Sequence, residues 1–431
     1  MSQTIVITGC SNGFGRALAE RLARDGHRVA ATMRAPGGKN AGAADALAAL
    51  ARSEDLDLRV FDLDVTQAAS VGAAAQDVLA AWGAPDAVVN NAGQMFGGLT
   101  EAFSADEFAR QLDVNVVGVH RVSRAFLPAM RARGSGLVLN VSSTAGRCAL
   151  PFFGLYHASK WALEGYTAAL RLELAQTGVD VAIVEPGPFT TNLFGGMTAP
   201  ADADGCAASY PAAVTGAFDA MGADFQAMLA SPETPTDPAL VVDAIAALLA
   251  MAPGTRPLRT VVGMDFGVRD RNADDAAHDV ALLEAFGLAD FATLHVDGES
   301  LGGEAVTFEF EQAATGPGTF AGTFTASGAI SDAGTTADAL DVSSPEGASP
   351  LVATFRRTVT GEKGTLVLTG DATVDLADPA AADVEGAWRV ESGTGAYTGH
   401  TGSGRLSGTA DFTLAQPRGT LRYKGALRAA P

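Results

Sequence analysis

Thr4-Ile5-Val6-Ile7-Thr8-Gly9-Cys10-Ser11-Asn12-Gly13-Phe14-Gly15 is the stretch that decides how this chain folds. A short apolar run, fit for a strand buried on both faces, leads into a glycine-rich turn. Residues 16–25 then continue with helical periodicity. Glycines let a backbone approach a pyrophosphate closely, and a helix N-terminus offers N–H donors and the positive end of its dipole. Strand, glycine turn and helix in that order are the context such a cradle requires. Thr8, Gly9, Ser11, Asn12, Gly13, Phe14 and Gly15 are therefore its candidate lining.

Further apolar runs of strand length follow at 29–32, 58–62, 87–90, 137–141 and 179–184. Ala/Leu/Arg segments of helical period separate them, as at 163–176. Strand–helix alternation of this kind predicts an α/β Rossmann-type, doubly wound parallel sheet over residues 1–289. Near residue 290 the character changes. Helical periodicity stops, Thr and Gly multiply, and alternating runs appear at 306–311, 319–326, 365–374, 387–390, 405–414 and 419–427. Residues 290–431 thus read as a separate all-β antiparallel barrel or sandwich.

The turns after the strands carry the chemistry. The second strand ends Ala31-Thr32-Met33-Arg34 with no acid to hold ribose hydroxyls, and Arg34 suits a 2′-phosphate, favouring NADP(H) over NAD(H). Asp64 and Val65 follow the third strand as candidates for an adenine edge. Asn90-Asn91-Ala92-Gly93 makes a tight polar turn where the nicotinamide half would pass. Further along, Tyr156 and Lys160 lie four residues apart, one helical turn, so both leave the same face; Ser143 precedes the tyrosine by thirteen residues. The lysine stands out because only four of the 29 basic residues are lysines. A compact ammonium in a tight site is not replaceable by a guanidinium. The spacing alone also occurs on exposed helices with no chemistry.

Composition narrows the field. A length of 431 residues suggests two or three domains, and 47% hydrophobic residues supply their cores. A net charge of −20 argues against nucleic acid or anionic membrane as partner. Cys10, Cys148 and Cys206 are far apart, odd in number and without metal-ligand spacing, which fits a reducing compartment. With no charged-then-apolar leader and no apolar run of about 18–20 residues, a soluble cytoplasmic protein is expected.

T-G-x-x-x-G-x-G at Thr8, N-N-A-G at Asn90, Asn115 in Asp113-Val114-Asn115-Val116, Ser143, Y-x-x-x-K, and Pro186-Gly187 followed by Thr191 stand in the order and spacing of the short-chain dehydrogenase/reductase family. Over about residues 3–289 the chain resembles that family. Leu163-Glu164-Gly165 and Val184-Glu185-Pro186-Gly187-Pro188 look most like its hydroxysteroid and retinol dehydrogenase branch. The resemblance implies an oxidoreductase acting on CH–OH and C=O groups. Tyr156 becomes its general acid or base, with a pKa lowered by Lys160 and by an oxidised nicotinamide. Lys160 would also bind the nicotinamide ribose. Ser143 would polarise the substrate oxygen, and Asn115 would hold a water linking Lys160 to solvent. Pro186, Gly187 and Thr191 would fix the carboxamide. A homodimer or homotetramer is implied by analogy. Met and Phe residues across 192–236, among them Phe194 and Met197, predict an adaptable apolar pocket, with Phe152 and Phe153 on its opposite wall. The expected small-molecule substrate is a bulky apolar ketone or secondary alcohol, polyketide-type molecules included.

The second half carries a resemblance of its own. Gly393-Thr394-Gly395-Ala396-Tyr397-Thr398-Gly399, with Gly402 beyond, resembles the signature of allene-oxide-cyclase-like barrels. That implies a cyclase, dehydratase or isomerase step on the same pathway; the alternative is a reductase whose barrel binds or assembles. No catalytic residue carries over. Candidates for an inward position are His295, Glu309, Glu311, Trp388, Arg389, Tyr397 and His400. If Phe308 and Phe310 face the core, Glu309 and Glu311 are merely solvated. No metal-ligand cluster is evident.

Overall fold

The structure, a computed structural model, describes residues 2–294, 304–342 and 351–428. The chain divides into two compact units, Met1–Leu294 and His295–Pro431. His295 lies outside the described residues.

The first unit is built on seven parallel strands: β1 (Thr4–Thr8), β2 (Arg28–Met33), β3 (Leu58–Asp62), β4 (Ala87–Asn90), β5 (Gly136–Val141), β6 (Val179–Pro186) and β7 (Arg259–Val262). Their order is β3-β2-β1-β4-β5-β6-β7, so the chain reverses direction across the sheet between β1 and β4. That reversal opens a crevice at the carboxyl ends of the strands. The helices are α1 (Gly13–Arg24), α2 (Ala41–Glu54), α3 (Ala68–Trp82), α4 (Ala105–Leu112), α5 (Gly118–Arg133), α6 (Gly154–Ala175), α7 (Asn192–Gly195), α8 (Ala203–Ala207), α9 (Ala212–Ala230), α10 (Ala239–Ala250) and α11 (Val268–Ala285).

Strand side chains alternate between two cores. Ile5 and Ile7 join one with Leu18 and Leu22 of α1 and Ile245 of α10. Val6 joins the other with Val78 of α3 and Phe126 of α5. Each such side chain, sealed from water, contributes about 1.5–3 kcal/mol. All eight positions of β6 are buried, its apolar residues together with Asp180 and Glu185. β7 escaped the sequence reading because Arg259-Thr260-Val261-Val262 is short and polar at its start.

The second unit is a closed antiparallel barrel: β8 (Glu304–Gly316), β9 (Thr319–Gly328), β10 (Asp332–Val342), β11 (Leu351–Gly361), β12 (Thr365–Asp375), β13 (Ala382–Gly393), β14 (Thr401–Asp411) and β15 (Arg418–Arg428). Each strand pairs with its sequence neighbour, and β15 returns to β8. Phe308, Phe310, Phe324, Phe355, Trp388 and Tyr423 fill its interior. At Gly425 a Cβ would come within 2.7 Å of the Trp388 ring, so glycine there makes room for the indole.

Two of the eight strands, β10 and β11, were not among the alternating runs. Their inward row holds Thr336 and Asp338 on β10 and Arg357 on β11, all buried. Arg357 donates from Nε to Asp338 Oδ1 at 2.7 Å, from Nη2 to Asp338 Oδ2, and from Nη2 to Gln312 Oε1 at 2.5 Å. Its guanidinium carbon lies 4.2 Å from the Phe310 ring and 4.8 Å from that of Tyr423. Of the inward candidates, Trp388 and Tyr397 are buried. Tyr397 sits in a turn and donates to Asp332 Oδ2 at 2.6 Å. Glu309, Glu311 and Arg389 point outward, with Glu309 paired to Arg422 at 2.5 Å, because the phenylalanine face is the core. His400 is half-buried beside Tyr397.

Candidate active site

The ends of β1, β4, β5 and β6 bring the sequence motifs to one cavity of roughly 1220 Å3. Its polar arm is the glycine turn. Gly9 and Gly13 have φ of +77° and +57°, a region that favours glycine. A Cβ at Gly15 would meet Asn91 Nδ2 at 2.4 Å and Gly9 O at 2.5 Å; one at Gly9 would meet Ala92 Cα at 2.9 Å. Thr8 and Asn91 lock the two turns together. Thr8 Oγ1 accepts from the main-chain N–H groups of Asn91 and Ala92, both at 3.0 Å, and Asn91 Nδ2 donates to Thr8 O at 2.9 Å. Thr8 and Gly15 thus shape the cavity from behind, while Gly9, Ser11, Asn12, Gly13 and Phe14 line it. Asn12 makes no side-chain bond to the start of α1, so the helix's first N–H groups have no side-chain acceptor there. Gly15→Ala is expected to cost about 1–3 kcal/mol of stability by overpacking, measured as a lower denaturation midpoint.

At the end of β2, Arg34 lines the cavity together with Lys39 and Asn40. Asn40 Nδ2 donates to Arg34 O at 2.6 Å, which closes this loop. Sequence reading singled out only Arg34. Lys39, one of four lysines, was the available signal for a second cation. Asp64, Val65, Ala92, Gly93, Pro186, Gly187 and Thr191 all line the cavity where expected. Asp64 Oδ1 accepts from the main chain and hydroxyl of Thr66 at 2.9 and 2.7 Å.

Tyr156 and Lys160 leave α6 on one face, as their spacing requires. Both are buried, and Lys160 Nζ lies 5.8 Å from the tyrosine ring centroid. Nζ donates to Val141 O at 2.9 Å. Burial pushes the Lys160 ammonium down to about 8, with the Glu164 carboxylate opposing. Burial pushes the Tyr156 phenol up to about 12, with the Ser143 hydroxyl pulling the other way. The expected lowering by Lys160 together with an oxidised nicotinamide concerns the cofactor-bound site. In the chain alone, desolvation of the phenolate outweighs an ammonium already engaged with a main-chain carbonyl. Ser143 Oγ accepts from Ala145 N at 3.1 Å and donates to Pro186 O at a long 3.3 Å.

Asn115 sits in a π-helical turn, Asp113–Val117, between α4 and α5. Its Oδ1 accepts from Gln94 N, while Nδ2 donates to Gln94 O at 2.9 Å and to Ser159 Oγ at 3.0 Å. Both amide hydrogens are therefore spent on the scaffold. The expected water-holding role does not fall to its N–H groups. Ser159 in turn donates to Tyr156 O at 2.7 Å, so Asn115 braces the tyrosine's backbone. His157, beside the tyrosine, is buried. Its Nδ1 bonds Ala145 O at 2.8 Å, and its Nε2 accepts from Leu150 N at 2.9 Å, stapling the loop after Ser143.

The apolar arm places Met95, Phe153, Leu193, Phe194 and Met221 around Tyr156. Phe153 and Phe194 line the cavity, as do Leu150, Phe225, Met228 and Phe266. Two expected wall residues fall outside it. Phe152, at φ +71°, packs on Phe218 with ring centroids 5.1 Å apart. Met197 does not line the cavity but packs against the same cluster around Tyr156 and over Gly97, where a Cβ would meet its sulfur at 2.2 Å. Helical and loop spacing did not reveal which way these two would turn.

The short chain dehydrogenase family matches residues 3–201. The chain is 37% identical over 192 residues to a 3-ketodihydrosphingosine reductase of Bacteroides thetaiotaomicron, covering 44% of this chain and 65% of that protein. It is 44% identical over 197 residues to human 17-beta-hydroxysteroid dehydrogenase type 1, covering 44% and 58%. Each of these relatives is thus spanned for less than two thirds of its length. Among solved structures, a short-chain dehydrogenase from Streptomyces avermitilis aligns at 33% identity and a TM-score of 0.53, over 66% of this chain and 97% of that one. With near-complete coverage of that relative and its motif residues gathered in one crevice, the chain belongs to the short-chain dehydrogenase/reductase family.

Proposed function

We propose that residues 1–294 are an NADP(H)-dependent ketoreductase interconverting a bulky apolar ketone and its secondary alcohol. The observation that carries this is Tyr156, buried where the polar crevice meets the apolar cluster. The glycine cradle fits a dinucleotide, since Gly9, Ser11, Asn12, Gly13 and Phe14 line it and the lack of side chains at Gly9 and Gly15 lets its two turns pack closely. Bound there, a reduced nicotinamide supplies the hydride. Tyr156 donates its proton to the substrate oxygen. Ser143 turns its hydroxyl hydrogen from the long bond to Pro186 O toward the same oxygen, where negative charge develops. Lys160 offsets the charge left on Tyr156. Both relatives named above carry names of carbonyl–alcohol chemistry on lipid-like molecules. The test is NADPH oxidation with a panel of polycyclic ketones. Turnover confined to small, highly charged substrates would refute the pocket reading.

Arg34 and Lys39 support the 2′-phosphate preference, because NAD(H) offers neither cation a partner. Arg34→Glu is expected to raise the KM for NADPH about tenfold or more and to narrow the gap to NADH, as loss of a charge-assisted bond implies. Equal KM values in wild type and variant would return the choice to NAD(H).

A second reading concerns the barrel. Its resemblance implies a cyclase, dehydratase or isomerase, yet its interior is filled by the aromatic cluster and the Arg357–Asp338 pair. That packing favours a binding or assembly module attached to a single-activity reductase. A chain ending at Leu294 should then give an unchanged product. A homodimer or homotetramer is proposed as well, since Val117 and Trp161 stay exposed beside α5 and on α6. Light scattering of the full chain tests it.

A further inference from the structure

Behind Lys160 lies a buried polar cluster that the proposed reaction does not use. Glu164, one turn further along α6, is 2% exposed, and Glu185 on β6 is fully buried. One oxygen of each is partnered. Arg259 Nε donates to Glu164 Oε2 at 2.9 Å, and Asn272 Nδ2 donates to Glu185 Oε2 at 2.6 Å. The remaining oxygens, Glu164 Oε1 and Glu185 Oε1, have no partner, and neither does the buried Ser142 Oγ. Arg259, which holds Glu164, stands on β7 opposite Ile183 of β6 and so on the same sheet face as Glu185. Glu164, Ser142 and Lys160 meet around Gly146. A Cβ at Gly146 would lie 3.0 Å from Glu164 Cγ, 3.0 Å from Ser142 Oγ and 3.2 Å from Lys160 O.

The surrounding charges are Arg259 on β7, Arg147 from the loop after Ser143, and Arg271 and Asp275 on α11. Arg147 is largely committed elsewhere: its Nε donates to Asn272 Oδ1 at 3.0 Å and its Nη2 pairs with Asp275. Glu164 therefore has a guanidinium partner, whereas Glu185 has only a neutral amide. Two buried carboxylates beside the one Arg259 guanidinium cannot both ionise cheaply, and the proton belongs on the one that does not bond the cation. A proton on Glu185 also supplies a donor where two carboxylate oxygens lack one. Burial first, then the Glu164 charge, pushes Glu185 up to about 7.

We propose that Glu164 and Glu185 form an acid–carboxylate pair behind Lys160, with Glu185 its neutral member and Glu164 a positioning residue whose charge keeps Lys160 protonated. The consequence for catalysis rests on the ketoreductase reading, but the pair itself does not, so the test uses no substrate.

The experiment is done on the full chain. With only four lysines, 13C labelling at lysine Cε resolves Lys160, whose resonance should titrate with a midpoint of about 8. Lys160→Arg assigns it. In Glu164→Gln that midpoint should move to lower pH, because the carboxylate favouring the ammonium is gone; in Glu185→Gln it should move less. Infrared spectra should show a buried protonated carboxyl that titrates near about 7, disappears in Glu185→Gln, and titrates at lower pH in Glu164→Gln. An unmoved Lys160 midpoint in Glu164→Gln, or no carboxyl band lost in Glu185→Gln, overturns the proposal. Should Glu164→Gln fail to fold, the isosteric Glu185→Gln decides by the infrared band. A protein that shows both titrations and reduces no ketone keeps the pair and loses the ketoreductase.

Discussion

Tyr156→Phe should lower the rate of NADPH-dependent ketone reduction by about 10² to 10⁴-fold, the span a positioned general acid supplies. The substitution removes one oxygen and keeps the ring, which packs against Met95 and Phe153. The Asn115–Ser159 brace reaches the backbone of residue 156, not its hydroxyl, so it survives. Stability should change little. NADPH affinity, measured by fluorescence titration, should stay within a few-fold of wild type, because Lys160 keeps its bond to Val141 O. A loss of kcat with retained cofactor binding identifies a proton donor. Equal rates in wild type and variant would remove Tyr156 from the chemistry.

The second large effect lies in the barrel. Asp338→Ala should destabilise it by about 3–5 kcal/mol, the cost of leaving one member of a buried ion pair without its partner. Arg357 is 2% exposed and flanked by Phe310 and Tyr423, so its charge has no route to water in the described structure. The double substitution Asp338→Leu with Arg357→Met removes both charges together and should recover most of that loss, since a buried ion pair is worth little over an apolar replacement. Calorimetry of the full chain should show one transition lowered in the single variant and largely restored in the double variant. Reductase activity should be unaffected by both. A single variant as stable as wild type would mean that the Arg357–Asp338 pair is not buried as described.

Most of the reductase unit was legible because its elements answer to local rules. β1 and β6 are largely apolar runs since both faces of a parallel sheet are covered. The glycine turn, the Asn90-Asn91-Ala92-Gly93 turn and the Tyr156–Lys160 spacing each state a backbone requirement within a few residues. Three kinds of information were not local. The partners of the Asn115 side chain, Gln94 and Ser159, are set by a π-helical turn. Phe152 and Met197 carried the right chemistry for a substrate wall; Phe152 packs on Phe218, while Met197 lies over Gly97 and against the cluster around Tyr156. The depth of burial that pushes the Tyr156 phenol up in the chain alone is not stated by any spacing along the sequence.

The barrel shows the same division most clearly. β8 was readable because Phe308 and Phe310 alternate with Glu309 and Glu311. β10 and β11 were not, because the inward rows contain Asp338 and Arg357, and a charge on an inward position reads as solvent-facing until its partner is known. By itself, the sequence determined the parallel sheet, the cradle, the shared helix face of Tyr156 and Lys160 and the change to an all-β second half, since these depend on periodicity and on spacing along the chain. Only the tertiary structure decided which polar side chains are buried together, because that depends on residues far apart in the chain coming within a few ångströms of one another.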